Sequence, residues 1–273
     1  MTLRPRGSEL YDAYVFDLDG TIYLGDHLLP GAAEVLGELR RREIPVRFVS
    51  NNPTKSPQQY VDKLTGLGVA ATLEDVTNTV VAMVRWLQAT HPGKVVYPIA
   101  EQPLIDALTA AGIEISDDPA RIDIVIASYD RTLTYAKLQT AFDAIWFHRR
   151  AILVTTNPDR YCPFPGGRGE PDAAAVVAAI EACTGTTLDT NVGKPDPAMV
   201  RAALSGLEVD LSRTVMVGDR LGTDIAMATD AGMASAMVLT GDSTRAEAEA
   251  LPPEQQPTYL LEHIDHLLPT ELP

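Results

Sequence analysis

The stretch Tyr14-Val15-Phe16-Asp17-Leu18-Asp19-Gly20-Thr21 decides how this chain is read. Three apolar residues form a short run of the kind found in buried strands. Side chains alternate along an extended segment, so Asp17 and Asp19 can share a face where the strand ends. Gly20 then permits a turn that a β-carbon would hinder. Two close carboxylates can divide labour, one as an ionised nucleophile and one as an acid of raised pKa. They also offer the oxygen ligands that a hard cation prefers. The same string fits a strand closed by an ordinary Asp-Gly turn, and only the rest of the chain separates the two readings.

Outward from that stretch, helices and strands alternate. Gly31 to Arg42 reads as a helix with Ala32, Val35, Leu36 and Leu39 on one face. Pro45 to Val49 reads as a strand that ends in Ser50-Asn51-Asn52-Pro53, and Ser56 to Leu67 as a helix stopped by Gly68. Late strands at Thr214–Val217 and Ala234–Leu239 end in Gly218-Asp219 and Thr240-Gly241. Apolar strands joined by helices imply a parallel sheet covered on both faces, with ligands at the carboxyl ends of its strands. The middle of the chain supplies strands at Val95–Ile99, Asp123–Ala127 and Ala151–Thr155 and helices at Pro103–Ala111, Thr134–Arg149 and Asp172–Cys183. These make an inserted α/β unit over residues 80–187, with 1–79 and 188–273 forming the core. A segment from Tyr259 to Ile264 is placed to close the core.

Composition narrows the partners. The formal net charge of −15 repels nucleic acid and anionic membrane, so neither is expected. No stretch reaches the roughly 18 apolar residues of a membrane span, and a soluble, cytoplasmic setting is expected. Two cysteines are too few for a disulfide framework. Cys183 reads as a small core residue of its helix, and Cys162 lies in a Pro/Gly-rich loop.

Three further strings sit at strand ends. Ser50 and Asn51 supply a hydroxyl and an amide suited to a phosphoryl oxygen, or simply cap the next helix. In Gly193-Lys194-Pro195-Asp196-Pro197, Asp196 and Pro197 fit a helix start, which leaves Lys194 as a surface lysine or as a fixed ammonium that neutralises phosphate. In Gly218-Asp219-Arg220-Leu221-Gly222-Thr223-Asp224, both aspartates can face a metal, or the loop is an acidic helix cap.

In this order the four strings resemble the haloacid dehalogenase superfamily. Tyr23-Leu24-Gly25, Ser50-Asn51-Asn52-Pro53 and Gly193-Lys194-Pro195-Asp196 are similar to subfamily IIA, the NagD-like and p-nitrophenylphosphatase-like enzymes. The resemblance spans Tyr14 to Gly241. It implies a Rossmann-like core with an inserted cap of type C2, and a Mg²⁺-dependent phosphatase acting on a small phosphate monoester (sugar, glycerol, glycolate, nucleotide or pyridoxal phosphate). Asp17 would be the nucleophile and Asp19 the acid and base. Gly20, Ser50, Asn51 and Lys194 would hold the phosphoryl group. Asp17, the Asp19 carbonyl, Asp219 and Asp224 would hold the metal. A phosphotransferase or mutase on the same scaffold, or a non-enzymatic binding protein, are the alternatives. A homodimer through the cap is the self-association the resemblance allows.

Within the cap, Thr156-Asn157-Pro158-Asp159 matches the subfamily's loop string, and Asp159, Arg160, Tyr161, Cys162 and Asp172 are the candidates for substrate selection. Two segments depart from the subfamily. Pro171-Asp172-Ala173-Ala174 replaces a Pro-Gly-x-Gly string, and Val76-Thr77-Asn78-Thr79 replaces a Thr-Ser-Ala-like one. Both bear on substrate choice, because the cap is expected to close over the leaving group.

Overall fold

A computed structural model describes residues 3–164 and 168–270. In chain order its regular elements are β1 Ala13–Asp17, β2 Tyr23–Leu24, β3 His27–Leu28, α1 Ala32–Arg41, β4 Val46–Ser50, α2 Pro57–Gly66, β5 Val76–Asn78 and α3 Thr79–Thr90. Then follow β6 Val96–Ile99, α4 Gln102–Ala110, β7 Ile124–Ala127, α5 Tyr135–Phe142, β8 Ile152–Thr155, β9 Tyr161–Phe164, β10 Arg168–Pro171, α6 Ala173–Thr184 and β11 Thr190–Asn191. The chain finishes with α7 Ala198–Ala203, β12 Thr214–Gly218, α8 Ala226–Ala231, β13 Ala234–Val238, α9 Arg245–Ala250 and β14 Tyr259–Leu261.

These group into two compact units, one of Met1–Ser50, Gln58–Thr77 and Pro195–Pro273, the other of Asn51–Pro57 and Asn78–Lys194. In the first, a six-stranded sheet has the order β14-β13-β12-β1-β4-β5. The run from β14 to β4 is parallel throughout. All five residues of β1 are buried, as its central place with both faces covered requires. Tyr14 stacks on Phe16 at 6.1 Å, and Phe16 meets Phe48 at 6.3 Å. Each fully buried aromatic of this kind contributes about 1.5–3 kcal/mol. Helix α1 buries Ala32, Val35, Leu36 and Leu39, the face read from its periodicity.

The second unit has a four-stranded sheet of order β11-β8-β7-β6, whose strands pair parallel. Sheet and unit run past residue 187, because Thr190 and Asn191 pair with Val154 and Thr155. Three other expectations change. The segment after Arg160 is strand rather than open loop: β9 and β10 form an antiparallel hairpin with Cys162 opposite Glu170. Of the Pro163–Gly169 turn expected there, residues 165–167 lie outside the described residues. The helix expected over Thr134–Arg149 stops at Phe142 and continues as a wider turn, in which the His148 N–H reaches the Asp143 carbonyl at 2.8 Å. Cys183 is exposed, since it falls on the last turn of α6, beyond the final buried position Ile180.

The two departures from the subfamily pattern have local physical roles. Asn78 caps α3, accepting from the Val81 N–H at 3.2 Å, and donates to the Lys55 carbonyl at 2.7 Å. Asp172 caps α6, accepting from the Ala173 N–H at 2.6 Å. Both carry a short polar side chain where a helix start needs an acceptor.

Candidate active site

Strand pairing places the acidic residues. Phe16 lies opposite Val217, and Asp17 lies opposite Val49. Asp17 therefore ends the central strand between Ser50, which ends β4, and Asp219, which follows β12. Asp224 reaches the same rim through the wide turn Leu221–Ile225, where the Arg220 carbonyl accepts from the Asp224 and Ile225 N–H groups. Carboxylate oxygens of Asp17, Asp219 and Asp224 all lie within 4.8 Å of one another, and all three residues are buried. The Asp224 carboxylate is pinned by the Arg220 N–H at 3.1 Å, and that of Asp219 by the Asp242 N–H at 2.8 Å.

Glycines make the room. A β-carbon on Gly241 would fall 1.9 Å from Asp219 Oδ2, and one on Gly218 would fall 2.4 Å from the Asp224 carboxylate. Gly20 carries the left-handed φ of +84° that its turn needs, and a β-carbon there would also strike Asp219. The loop after β13 braces this arrangement. Thr240 donates to the Gly20 carbonyl at 2.6 Å, and the Ser243 N–H donates to the Asp219 carbonyl at 3.1 Å. In the sequence, Thr240-Gly241 is legible only as a strand end. The signal available was the glycine itself, at a strand end on an acidic rim.

Asp19 differs from Asp17. It is exposed, and its side chain is outside the three-carboxylate group. Behind it, Tyr23 is wholly buried, and burial together with the Asp19 charge pushes its phenol far up, so it stays protonated. The Lys63 ammonium sits 3.7 Å from the centre of the Tyr23 ring. Ser50 is buried, and its Oγ lies 3.0 Å from the hydroxyl of the equally buried Tyr60.

The other expected residues belong to the second unit. Both N–H groups of the Asn51 amide are engaged, one by the Lys194 carbonyl and one by Asp159 Oδ2, each at 3.0 Å. Its oxygen accepts from the Lys194 N–H at 2.8 Å. An amide has two N–H donors, so the Asn51 side chain grips the Lys194 backbone. Lys194 itself is buried. A β-carbon on Gly193 would fall 2.3 Å from the Thr156 carbonyl, so glycine is what allows the chain this close.

Asn157, which the sequence reading left without a role, donates to both Asp159 and Asp172, at 3.0 and 2.9 Å. Asp159, half-buried, and Asp172, buried, are thus tied into one polar network. Arg160 and Tyr161 are exposed and line an open cleft of about 410 Å³ with Arg168, Gly169, Glu170 and Pro171. Cys162 is half-buried. Among the described residues, no helix is long and apolar enough to cross a membrane.

Comparison with known proteins agrees with this geometry. Residues 14–114 match the haloacid dehalogenase-like hydrolase family, and residues 191–267 a second family of the same hydrolase type. The chain is 33% identical over 259 residues to an acid sugar phosphatase of Staphylococcus saprophyticus, covering 94% of this chain and 97% of that one. It is 35% identical over 235 residues to an acid sugar phosphatase of Staphylococcus aureus, covering 86% and 88%. Among solved structures, the 4-nitrophenylphosphatase of Thermotoga maritima superposes with a TM-score of 0.86 at 31% identity, over 94% of this chain and 95% of that one. NagD of E. coli K-12 superposes with a TM-score of 0.83 at 29% identity, over 94% and 98%.

Proposed function

The chain belongs to the haloacid dehalogenase-like hydrolase family and is a phosphatase, and from that premise we propose that it hydrolyses sugar phosphate monoesters through a phosphoenzyme formed on Asp17. The observation that carries this reading is the meeting of three buried carboxylates at the end of the central strand, beside a serine hydroxyl on the neighbouring strand. The sugar class follows the names of the staphylococcal relatives.

A magnesium ion fits the residues present. Three buried carboxylates this close repel one another, and a small cation with a preference for oxygen ligands offsets that repulsion. The set is all oxygen, and three glycines keep its surroundings open. Asp17, Asp219 and Asp224 would hold the ion, with the Asp19 carbonyl as the family pattern assigns. When bound, it supplies positive charge against the phosphoryl oxygens.

The protein's own residues carry the chemistry. An Asp17 carboxylate oxygen attacks phosphorus, and the bond from phosphorus to the sugar oxygen breaks. Asp19 gives its proton to that oxygen, so the sugar leaves as a neutral alcohol. Asp19, now ionised, takes a proton from water as the water oxygen attacks the Asp17-bound phosphorus. Inorganic phosphate departs and Asp17 is regenerated. The exposed position of Asp19 suits a group that must meet both the sugar oxygen and water. Ser50 donates its hydroxyl proton to a phosphoryl oxygen. The family pattern gives Lys194 the matching charge.

The test is steady-state hydrolysis of hexose and pentose phosphates, glycerol phosphate, phosphoglycolate, pyridoxal phosphate and nucleotides, before and after chelation and Mg²⁺ return. A sugar phosphate should show the highest kcat/KM, activity should vanish on chelation and Mg²⁺ should restore it. A tenfold preference for phosphoglycolate or pyridoxal phosphate would remove the sugar assignment, and full activity of metal-free protein would remove the metal.

A further inference from the structure

Tyr60 lies on α2, ten residues beyond the serine it touches. The chain leaves β4 at Ser50, turns through Asn51–Ser56 and returns along α2, which carries Tyr60 back over the strand end. Tyr60 is 1% exposed and Ser50 6%, and their oxygens are 3.0 Å apart. At that burial neither hydroxyl exchanges freely with bulk water, so the direction of the bond between them matters.

A serine hydroxyl has one proton and two acceptor positions. If that proton goes to Tyr60, none remains for a phosphoryl oxygen. We infer that Tyr60 is a positioning residue: its phenol donates to Ser50 Oγ, which turns the serine proton out toward the phosphoryl group. The inference rests on the reading of Ser50 as a phosphoryl donor. Phenol to serine to phosphoryl oxygen is then a chain of bonds all running one way. Each bond in such a chain polarises the next, and the effect is larger where water is scarce. The sequence alone gives no hint of this, since a tyrosine on the buried face of α2 reads as core packing.

The alternative is that Tyr60 only fills space and finds its hydroxyl a convenient partner. A double-mutant cycle separates the two. Tyr60→Phe, Ser50→Ala and the double variant are compared with wild type for kcat/KM and for inhibition by inorganic phosphate, with Mg²⁺ saturating. Thermal melts accompany each protein, because Phe keeps the ring and its packing. Loss of a hydrogen-bond donor acting on a charged group predicts a fall of about 5–20-fold in kcat/KM for Tyr60→Phe, with phosphate inhibition weakened in parallel. In the Ser50→Ala background, Tyr60→Phe should change both by less than twofold, since there is no serine left to orient. Tyr60→Phe within twofold of wild type on both measures, while Ser50→Ala lowers them, would overturn the inference and leave the phosphatase reading standing. A full additional loss in the Ser50→Ala background would overturn it equally, as a packing effect would persist there. Should Ser50→Ala change neither measure, the reading of Ser50 fails and the inference fails with it.

Discussion

Gly241 offers the sharpest test of how the carboxylate group is held. In Gly241→Ala the new methyl would lie 1.9 Å from Asp219 Oδ2 and 2.5 Å from its Cβ, where ordinary contact begins at 3.4 Å. The shortfall of 3.4 − 1.9 = 1.5 Å must be met by movement of Asp219 or of the loop. Asp219 cannot retreat freely, because the Ser243 N–H holds its carbonyl and the Asp242 N–H holds its carboxylate. A displacement of this order in a carboxylate of the proposed metal group should cost about 100-fold in kcat/KM. Overpacking should lower stability by about 1–3 kcal/mol. The assay is an Mg²⁺ activation curve with kcat/KM at each concentration, paired with chemical denaturation of the metal-free protein. Gly222→Ala is the control, since a β-carbon at that neighbouring loop position meets nothing within 4 Å. If Gly241→Ala keeps wild-type kcat/KM and Mg²⁺ half-saturation within threefold, the glycine does not set the position of Asp219 and the argument is wrong.

Other substitutions probe the remaining parts. Asp17→Asn should fold normally and retain less than about a hundredth of wild-type turnover, and acid-quenched protein should carry no phosphate. Asp19→Asn should slow single-turnover phosphoenzyme formation more for an alkyl phosphate than for p-nitrophenyl phosphate, whose leaving group needs little protonation; equal losses would contradict the acid role. Arg160→Ala and Tyr161→Ala should reorder a substrate panel without altering the Mg²⁺ requirement, and a uniform loss of rate across the panel would make the hairpin structural. Asn78→Ala removes the cap of α3 and a donor to the Lys55 carbonyl, and should lower stability by about 0.5–2 kcal/mol in urea titrations with activity per folded molecule unchanged.

What the sequence disclosed and what it hid divide along a physical line. Asp17, Ser50 and Asp219 were legible because apolar runs mark parallel strands and polar residues at their ends mark the rim. Gly20 was legible because its turn is local. Gly241 was not, since the obstacle it avoids is a carboxylate 22 residues away in sequence (Asp219), brought near by strand pairing. Asn51 was read as a phosphoryl ligand from its place after β4 and from the family resemblance. The bonds its N–H groups make to Lys194 and Asp159 were hidden because both partners lie more than a hundred residues away in sequence. Cys183 was misplaced because composition suggests burial, while the end of a helix leaves its last turn uncovered. Asp172 was read as a candidate for substrate selection, and its position before α6 also makes it a helix cap, a role its sequence string does not announce. Periodicity reports which face is apolar. It does not report what stands opposite.

The order of strands in the larger sheet has a consequence for how the chain comes to be folded. Its central pair joins Ala13 to Thr214, about two hundred residues apart, whereas the second unit's sheet is built from one uninterrupted stretch of chain. Closing so long a loop carries an entropic cost that no local contact repays early, and non-local pairing of this kind is slow. On a ribosome, β1 and β4 emerge first and then wait, with the β1 edge unpaired, until β12 appears. The 78–194 segment can meanwhile complete its own sheet. Assembly is therefore expected to be sequential, with amides of β6, β7 and β8 protected from hydrogen exchange before those of β1. The interval between the two is when the exposed edge of β1 is open to misassociation with other chains.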